Sequence, residues 1–106
     1  TAADEGILSI GVDSNQNHLH PGKVLTSMLK RVDNAVYKAM TDGVDMEVGF
    51  NVMGVANGGI DYAMDENNAD LVDASLKNEV DEAAAKIASG ELVVHDYMSD
   101  NTCPVE

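Results

Sequence analysis

One aspartate and one lysine are the groups in this chain best placed to do chemistry. Asp13 directly follows the apolar run of residues 7–12, so it is expected at the carboxyl end of a strand, where open α/β sheets bind ligands. It has a competing local role: with Ser14 and Asn15 behind it, the same carboxylate can cap a turn. Lys30 and Arg31 are adjacent, close to the start of a segment with helical spacing. With Ser27 as the cap, Lys30 takes the third helical position, where a capping box carries Glu or Gln. Two cations in a first turn oppose the helix dipole, at roughly 0.3 to 1 kcal/mol each when exposed. A ligand hydroxyl, an anion or a carboxylate such as Asp13 would compensate; otherwise both side chains extend into water.

The other constellations are weaker. His18 and His20 share a face if their loop is extended, but no Cys or third His is near them in sequence, and a zinc site needs more ligands. Asp61, Asp65, Asp70 and Asp73 miss the Gly and the terminal Glu of a calcium loop. Gly54, Gly58 and Gly59 lack the spacing of a phosphate-binding loop. Phe50 and the tyrosines at 37, 62 and 97 fit core or strand surface better than a base-stacking platform. Cys103 precedes Pro104 with no basic residue beside it, which leaves its thiol without the partner a nucleophile needs. No catalytic triad or carboxylate pair emerges, so the expectation is a protein that is not an enzyme and has no metal site or cofactor.

Positioning Asp13 and Lys30 is a matter of elements. Residues 7–12 are almost continuously apolar, the pattern of a strand buried on both faces of a parallel sheet. Residues 1–6 look like the tail of a helix stopped by Gly6, and the chain is expected to begin partway through a larger α/β domain. Pro21-Gly22 marks a loop, and Val24 and Leu25 lead into a helix over about residues 27–41, with Thr26 or Ser27 as N-cap and Asp42-Gly43 at its end. Residues 46–55 alternate, Met46, Val48, Phe50 and Val52 falling on one side, which predicts a strand. Asn57-Gly58-Gly59 turns the chain into a short strand carrying Ile60, Tyr62 and Met64. A second helix is predicted over about 74–89, capped by Asp73 or Ser75 and closed by Gly90, and Leu92, Val93 and Val94 suggest a last strand. The order is α/β, without a complete closed sheet of its own.

Composition narrows the classes. At 106 residues and 11.2 kDa the chain holds one small domain, and no apolar run approaches a membrane span. A single cysteine cannot form an intrachain disulfide. The first residues lack the basic start and apolar core of a signal peptide, so any export signal is expected upstream. The formal net charge of −13 lies wholly after residue 41, where fifteen acids face Lys77 and Lys86 alone. That surface repels phosphate backbones and anionic lipid heads, which argues against nucleic acid as a partner.

Three runs carry a resemblance. Ile10-Gly11-Val12-Asp13-Ser14-Asn15-Gln16, then residues 23–33 (Lys-Val-Leu-Thr-Ser-Met-Leu-Lys-Arg-Val-Asp), then Asn57-Gly58-Gly59-Ile60-Asp61-Tyr62, in that order, resemble the C-terminal part of the basic membrane protein family. These are substrate-binding lipoproteins of ABC importers, many of which bind purine nucleosides. The similarity runs to Ser89-Gly90-Glu91, and the polar tail from Asp96 adds nothing to it.

The resemblance implies a type I periplasmic-binding-protein fold, with two Rossmann-like α/β lobes built on parallel sheets and closing on a ligand between them. Residues 1–22 would belong to the second lobe, 23–43 would return into the first, and 44–106 would cross back to the second and supply the C-terminal helix and tail. The rest of the first lobe, the base-stacking aromatics and the lipid-bearing cysteine would lie upstream. Asp13 would accept hydrogen bonds from ribose hydroxyls and Lys30 would reach the same sugar. The implied partners are a purine nucleoside or related ribose-containing solute, an ABC permease and the remaining N-terminal part of the same protein. The implied location is the periplasmic or outer face of the cytoplasmic membrane, with a lipid anchor outside this chain. Two alternatives stay open: a nucleoside-sensing regulatory protein of the same fold, and an acidic interaction domain without a small-molecule ligand.

Overall fold

Two short parallel strands begin the structure, a computed structural model in which residues 1–104 are described. Strand β1 (Ser9–Asp13) pairs in parallel with β2 (Val24–Lys30), and β2 pairs antiparallel with β3 (Ile60–Tyr62), giving a three-stranded sheet of order β1-β2-β3. Helix α1 (Val32–Asp42) follows β2 directly, α2 (Ala74–Ser89) follows β3, and a single turn, α3 (Tyr97–Asp100), lies near the end. The described residues thus form one small mixed α/β unit with three strands and three helices.

The largest departure from the sequence reading is at residues 24–31. The apolar spacing predicts a helix from Ser27, yet Val24–Lys30 is a strand and the helix starts at Val32. The apolar pairs Val24/Met28 and Leu25/Leu29 are four residues apart, a spacing that puts each pair on one side of a helix and of a strand alike. The backbone of β2 is paired on both sides, to Ser9, Ile10, Gly11, Val12 and Asp13 and to Ile60, Asp61 and Tyr62, and two ladders outweigh a weak local preference. Lys30 therefore closes a strand and does not sit in a helical first turn. Arg31 becomes the helix N-cap, with Asp33 in the first turn where the dipole favours an acid.

Residues 46–55 carry a real alternation but form no strand. A ladder needs a row of backbone partners: Val48 and Phe50 are fully exposed, and at the end of the segment the Gly59 N–H meets the Gly54 carbonyl in a turn at 2.8 Å, not in a ladder. Leu92, Val93 and Val94 likewise form no strand, the Leu92 N–H turning back to the Lys86 carbonyl at 3.0 Å, and residues 2–6 are turns, not the end of a helix. The 74–89 helix stands as predicted, with the Asp73 carboxylate accepting from the Leu76 amide at 2.8 Å and Gly90 taking a left-handed stop at φ +80°. Helix α2 is tied to the sheet by Tyr62, whose hydroxyl donates to Asp81, a carboxylate that also receives Lys77.

The interior is small and polar. Among the described residues the buried apolar side chains are Val24 and Ala63, while Asn17, Ser27 and Asn68 are wholly buried. Large apolar side chains lie outside, among them Ile10, Val12, Met28 and Ile60, which the strand register and the two-residue period put on one face of the sheet. The accessible area is 8161 Å², against about 5,700 Å² for a self-contained protein of this mass. The radius of gyration, 16.5 Å, likewise exceeds the ~13 Å of a folded chain of 100 residues.

Candidate functional site

Parallel pairing sends β1 and β2 out of the sheet at the same end, so the residues that close them meet there. Asp13 lies opposite Leu29 in the register, and the Lys30 ammonium reaches the Asp13 Oδ1 at 2.7 Å. Both side chains are about two-thirds exposed, at 68% and 65%, and so open to a ligand. The hydrogen bond to Asp13, and after it the Coulomb attraction, holds the Lys30 ammonium above the ordinary lysine range. Of the compensations the sequence offered for Lys30, the Asp13 carboxylate is the one present, although the helix dipole that seemed to require it is absent at this position.

Asp13 has an unusual backbone. Its φ is +79°, in the left-handed region that costs most side chains energy and that Asp and Asn tolerate best. A non-glycine residue is kept there only when its surroundings over-determine it, and such positions gather at ligand sites. The surroundings here are explicit. Gln16 donates from its side-chain amide to the Val12 carbonyl at 3.2 Å and from its backbone N–H to the Ser27 Oγ at 3.0 Å. The Ser27 hydroxyl in turn donates to the Asn17 Oδ1 at 2.8 Å. Gly11 makes room for this contact: a Cβ at that position would stand 2.5 Å from the Ser27 Oγ and 3.0 Å from the Gln16 Cβ.

Beside the ion pair is a shallow, mostly apolar hollow of about 290 Å³ lined by Val12, Asp13, Met28, Leu29, Lys30 and Ile60. One wall is charged and the rest is the uncovered sheet face. Arg31 does not share the site: its guanidinium binds the Asp33 carboxylate through two bonds of 3.0 and 2.7 Å and lies 3.6 Å from Asp61.

Sequence reasoning missed the polar cluster behind the loop. Asn15 donates to the Asp65 Oδ2 at 2.7 Å and Asn17 to the same oxygen at 3.2 Å. The only signal was compositional, an Asn-x-Asn near Asp13 and an Asp-x-Asn-Asn fifty residues later, and nothing in either run says that they meet. His18 lies in a 3₁₀ turn (Asn17–Leu19) and His20 just beyond it, both exposed. Among the described residues no group of three or more His, Cys, Asp or Glu side chains is gathered as a metal site would require, and no helix is long and apolar enough to cross a membrane. Neither a protein-family model nor a curated protein matches the chain.

Proposed function

We propose that this protein is the solute-binding component of an ABC importer and that it captures a nucleoside, a purine nucleoside foremost, through the ribose. The observation that carries this reading is the Asp13–Lys30 pair: opposite charges 2.7 Å apart, exposed, at the carboxyl ends of adjacent parallel strands. An ionised carboxylate only accepts hydrogen bonds and an ammonium only donates them. A vicinal diol offers both complements, its protons to Asp13 and its oxygen lone pairs to Lys30. The left-handed backbone at Asp13 is a conformation found at ligand-facing positions and, for Asp, in turns as well.

In this reading the rest of the same protein covers what these residues leave bare. Accessible surface about 2,500 Å² in excess of the usual is the size of a permanent interface, and parallel strands are ordinarily buried on both faces. A first lobe packed against this unit would supply the surfaces that stack on the base, and closure of the two lobes would trap the solute without making or breaking a bond. Delivery to a permease then locates the protein outside the cytoplasmic membrane, held by a lipid anchor beyond residues 1–106.

Isothermal calorimetry of the full-length protein against a panel of purine and pyrimidine nucleosides tests the proposal. The expected outcome is saturable heat with at least one nucleoside, weaker for its 2′-deoxy counterpart. Absence of heat with every nucleoside overturns it.

A further inference from the structure

Asp65 lies fifty residues from Asn15 in sequence, and its carboxylate has no acceptor position to spare. Oδ2 takes Asn15 at 2.7 Å and Asn17 at 3.2 Å, and Oδ1 takes the Asn67 backbone N–H at 2.8 Å and the Asn67 side-chain amide at 3.0 Å. A carboxylate has about four lone-pair sites, so nothing remains for a ligand. These bonds, the one from Asn15 foremost, hold the Asp65 carboxyl below the usual carboxylate range.

The cluster has a second end. The Asp65 N–H donates to the Asn68 Oδ1 at 2.9 Å, and the buried Asn68 amide donates to the Leu25 carbonyl at 2.8 Å and the Ala63 carbonyl at 3.0 Å. Leu25 lies on β2, the strand that ends in Lys30. One hydrogen-bonded network therefore runs from the loop behind Asp13 to the strand that carries Lys30. Among the described residues no buried side-chain nitrogen or oxygen lacks a partner, and a fully satisfied network of this kind is rigid. The link between β1 and β2, residues 14–23, contains only one 3₁₀ turn, where parallel strands ordinarily need a dozen or more residues and a helix. A connection this short without its own regular structure depends on outside anchors.

We infer that Asp65 is a positioning residue for the Asp13–Lys30 site: through Asn15 and Asn17 it anchors the loop after β1 and so keeps Asp13 in its left-handed conformation with its carboxylate against Lys30. The meaning of this for ligand capture rests on the nucleoside reading above; the positioning itself does not. The test is Asp65→Asn, which keeps the volume but turns an amide donor toward the Asn15 and Asn17 donors, or leaves the Asn67 side unsatisfied. Asn15→Ala serves as the second variant, since Asn15 is exposed: besides its bond to Asp65 it removes the acceptor of the Asn17 backbone N–H at 2.9 Å, and it leaves the side-chain bonds of the buried Asn17, Ser27 and Asn68 in place.

The readout is the NMR titration of the Lys30 side chain in the protein without ligand, with circular dichroism as the check that each variant is folded. The Lys30 titration midpoint is expected to fall toward the ordinary lysine value in both variants, more in Asp65→Asn. A structural staple unconnected with the site would lower stability and leave the midpoint where it was; folded variants with an unmoved Lys30 midpoint overturn the inference. Should Asp65→Asn fail to fold, Asn15→Ala alone decides. In the full-length protein the same variants should weaken nucleoside binding by about tenfold, the equivalent of one hydrogen bond to a charged group. A moved Lys30 midpoint in a protein whose wild type binds no nucleoside would sink the functional reading and leave the positioning role standing.

Discussion

At Asp13 two demands on one residue conflict, and the conflict is measurable. Its backbone at φ +79° suits glycine, while its carboxylate is what a diol would recognise. Asp13→Gly is expected to leave stability unchanged or raise it by up to about 1 kcal/mol, because the left-handed strain goes and an exposed ion pair contributes little. Asp13→Ala is expected to lower stability, since alanine has no tolerance for that conformation, and Asp13→Asn should keep the fold and lose only the charge. Urea denaturation of the three variants checks this order. In the full-length protein all three should weaken nucleoside binding by about ten- to a hundred-fold. The 2′-deoxynucleoside should lose less affinity in Asp13→Asn than in wild type, the mark of a shared interaction in a double-mutant cycle.

Among the elements, the start of α1 has the clearest electrostatic signature. Strand β2 passes into the helix within one residue, and Arg31 marks the junction: its N–H donates to the Gly59 carbonyl at 2.9 Å while its guanidinium grips Asp33. The Arg31 hydrogen bond, aided by backbone amides, holds the Asp33 carboxyl down at about 2, from an ordinary 3.8. A folded-state pKa below the unfolded one means that the unfolded chain binds the proton first, so the stabilisation is present above pH 3.8 and is lost as pH falls through about 2. Asp65, Asp81 and Asp100 are lowered too and act in the same direction. Stability is therefore expected to fall between about pH 4 and pH 2, with a flatter profile in Asp33→Asn. Urea midpoints measured across that range check the slope; the Asp33 share is modest, because its side chain is 65% exposed and water screens the pair.

For the molecule as a whole the leading quantity is uncovered surface. An unfolded chain of this mass exposes about 16,200 Å², so folding to 8161 Å² hides about three-quarters of what a self-contained protein of this size would hide. The denaturant slope scales with the surface exposed on unfolding. For residues 1–106 alone it should be about a quarter smaller than is normal for the length, and in a form that covers the exposed apolar side chains on and off the sheet it should rise toward the normal value. An ordinary slope for residues 1–106 alone would mean that the exposed apolar side chains find cover within them, Val44, Val48, Phe50 and Val93 as well as Ile10, Val12, Met28 and Ile60 on the sheet.

Helix α2 was legible in the sequence because its signals are local: Asp73 before the first turn, Leu76, Val80, Ala83, Ala84 and Ile87 at helical spacing, and Gly90 at the stop. The β1 strand and the address of Asp13 at its end were legible for the same reason, an unbroken apolar run followed by a polar break. Residues 24–30 were not, since their pattern satisfies a helical and a strand period alike, and only the ladders from β1 and β3 choose between them. Residues 46–55 erred the other way: alternation makes a segment fit for a sheet, but a strand exists only beside another strand. The sequence by itself named Asp13 and Lys30 as candidates, and determined that Asp13 closes the first strand and where the independent helix lies. Tertiary structure alone decided that these two side chains touch, that Asp13 bends left-handed and that Asp65 stands behind it, because each of these depends on contacts between residues 11 to 50 positions apart, which no local pattern encodes.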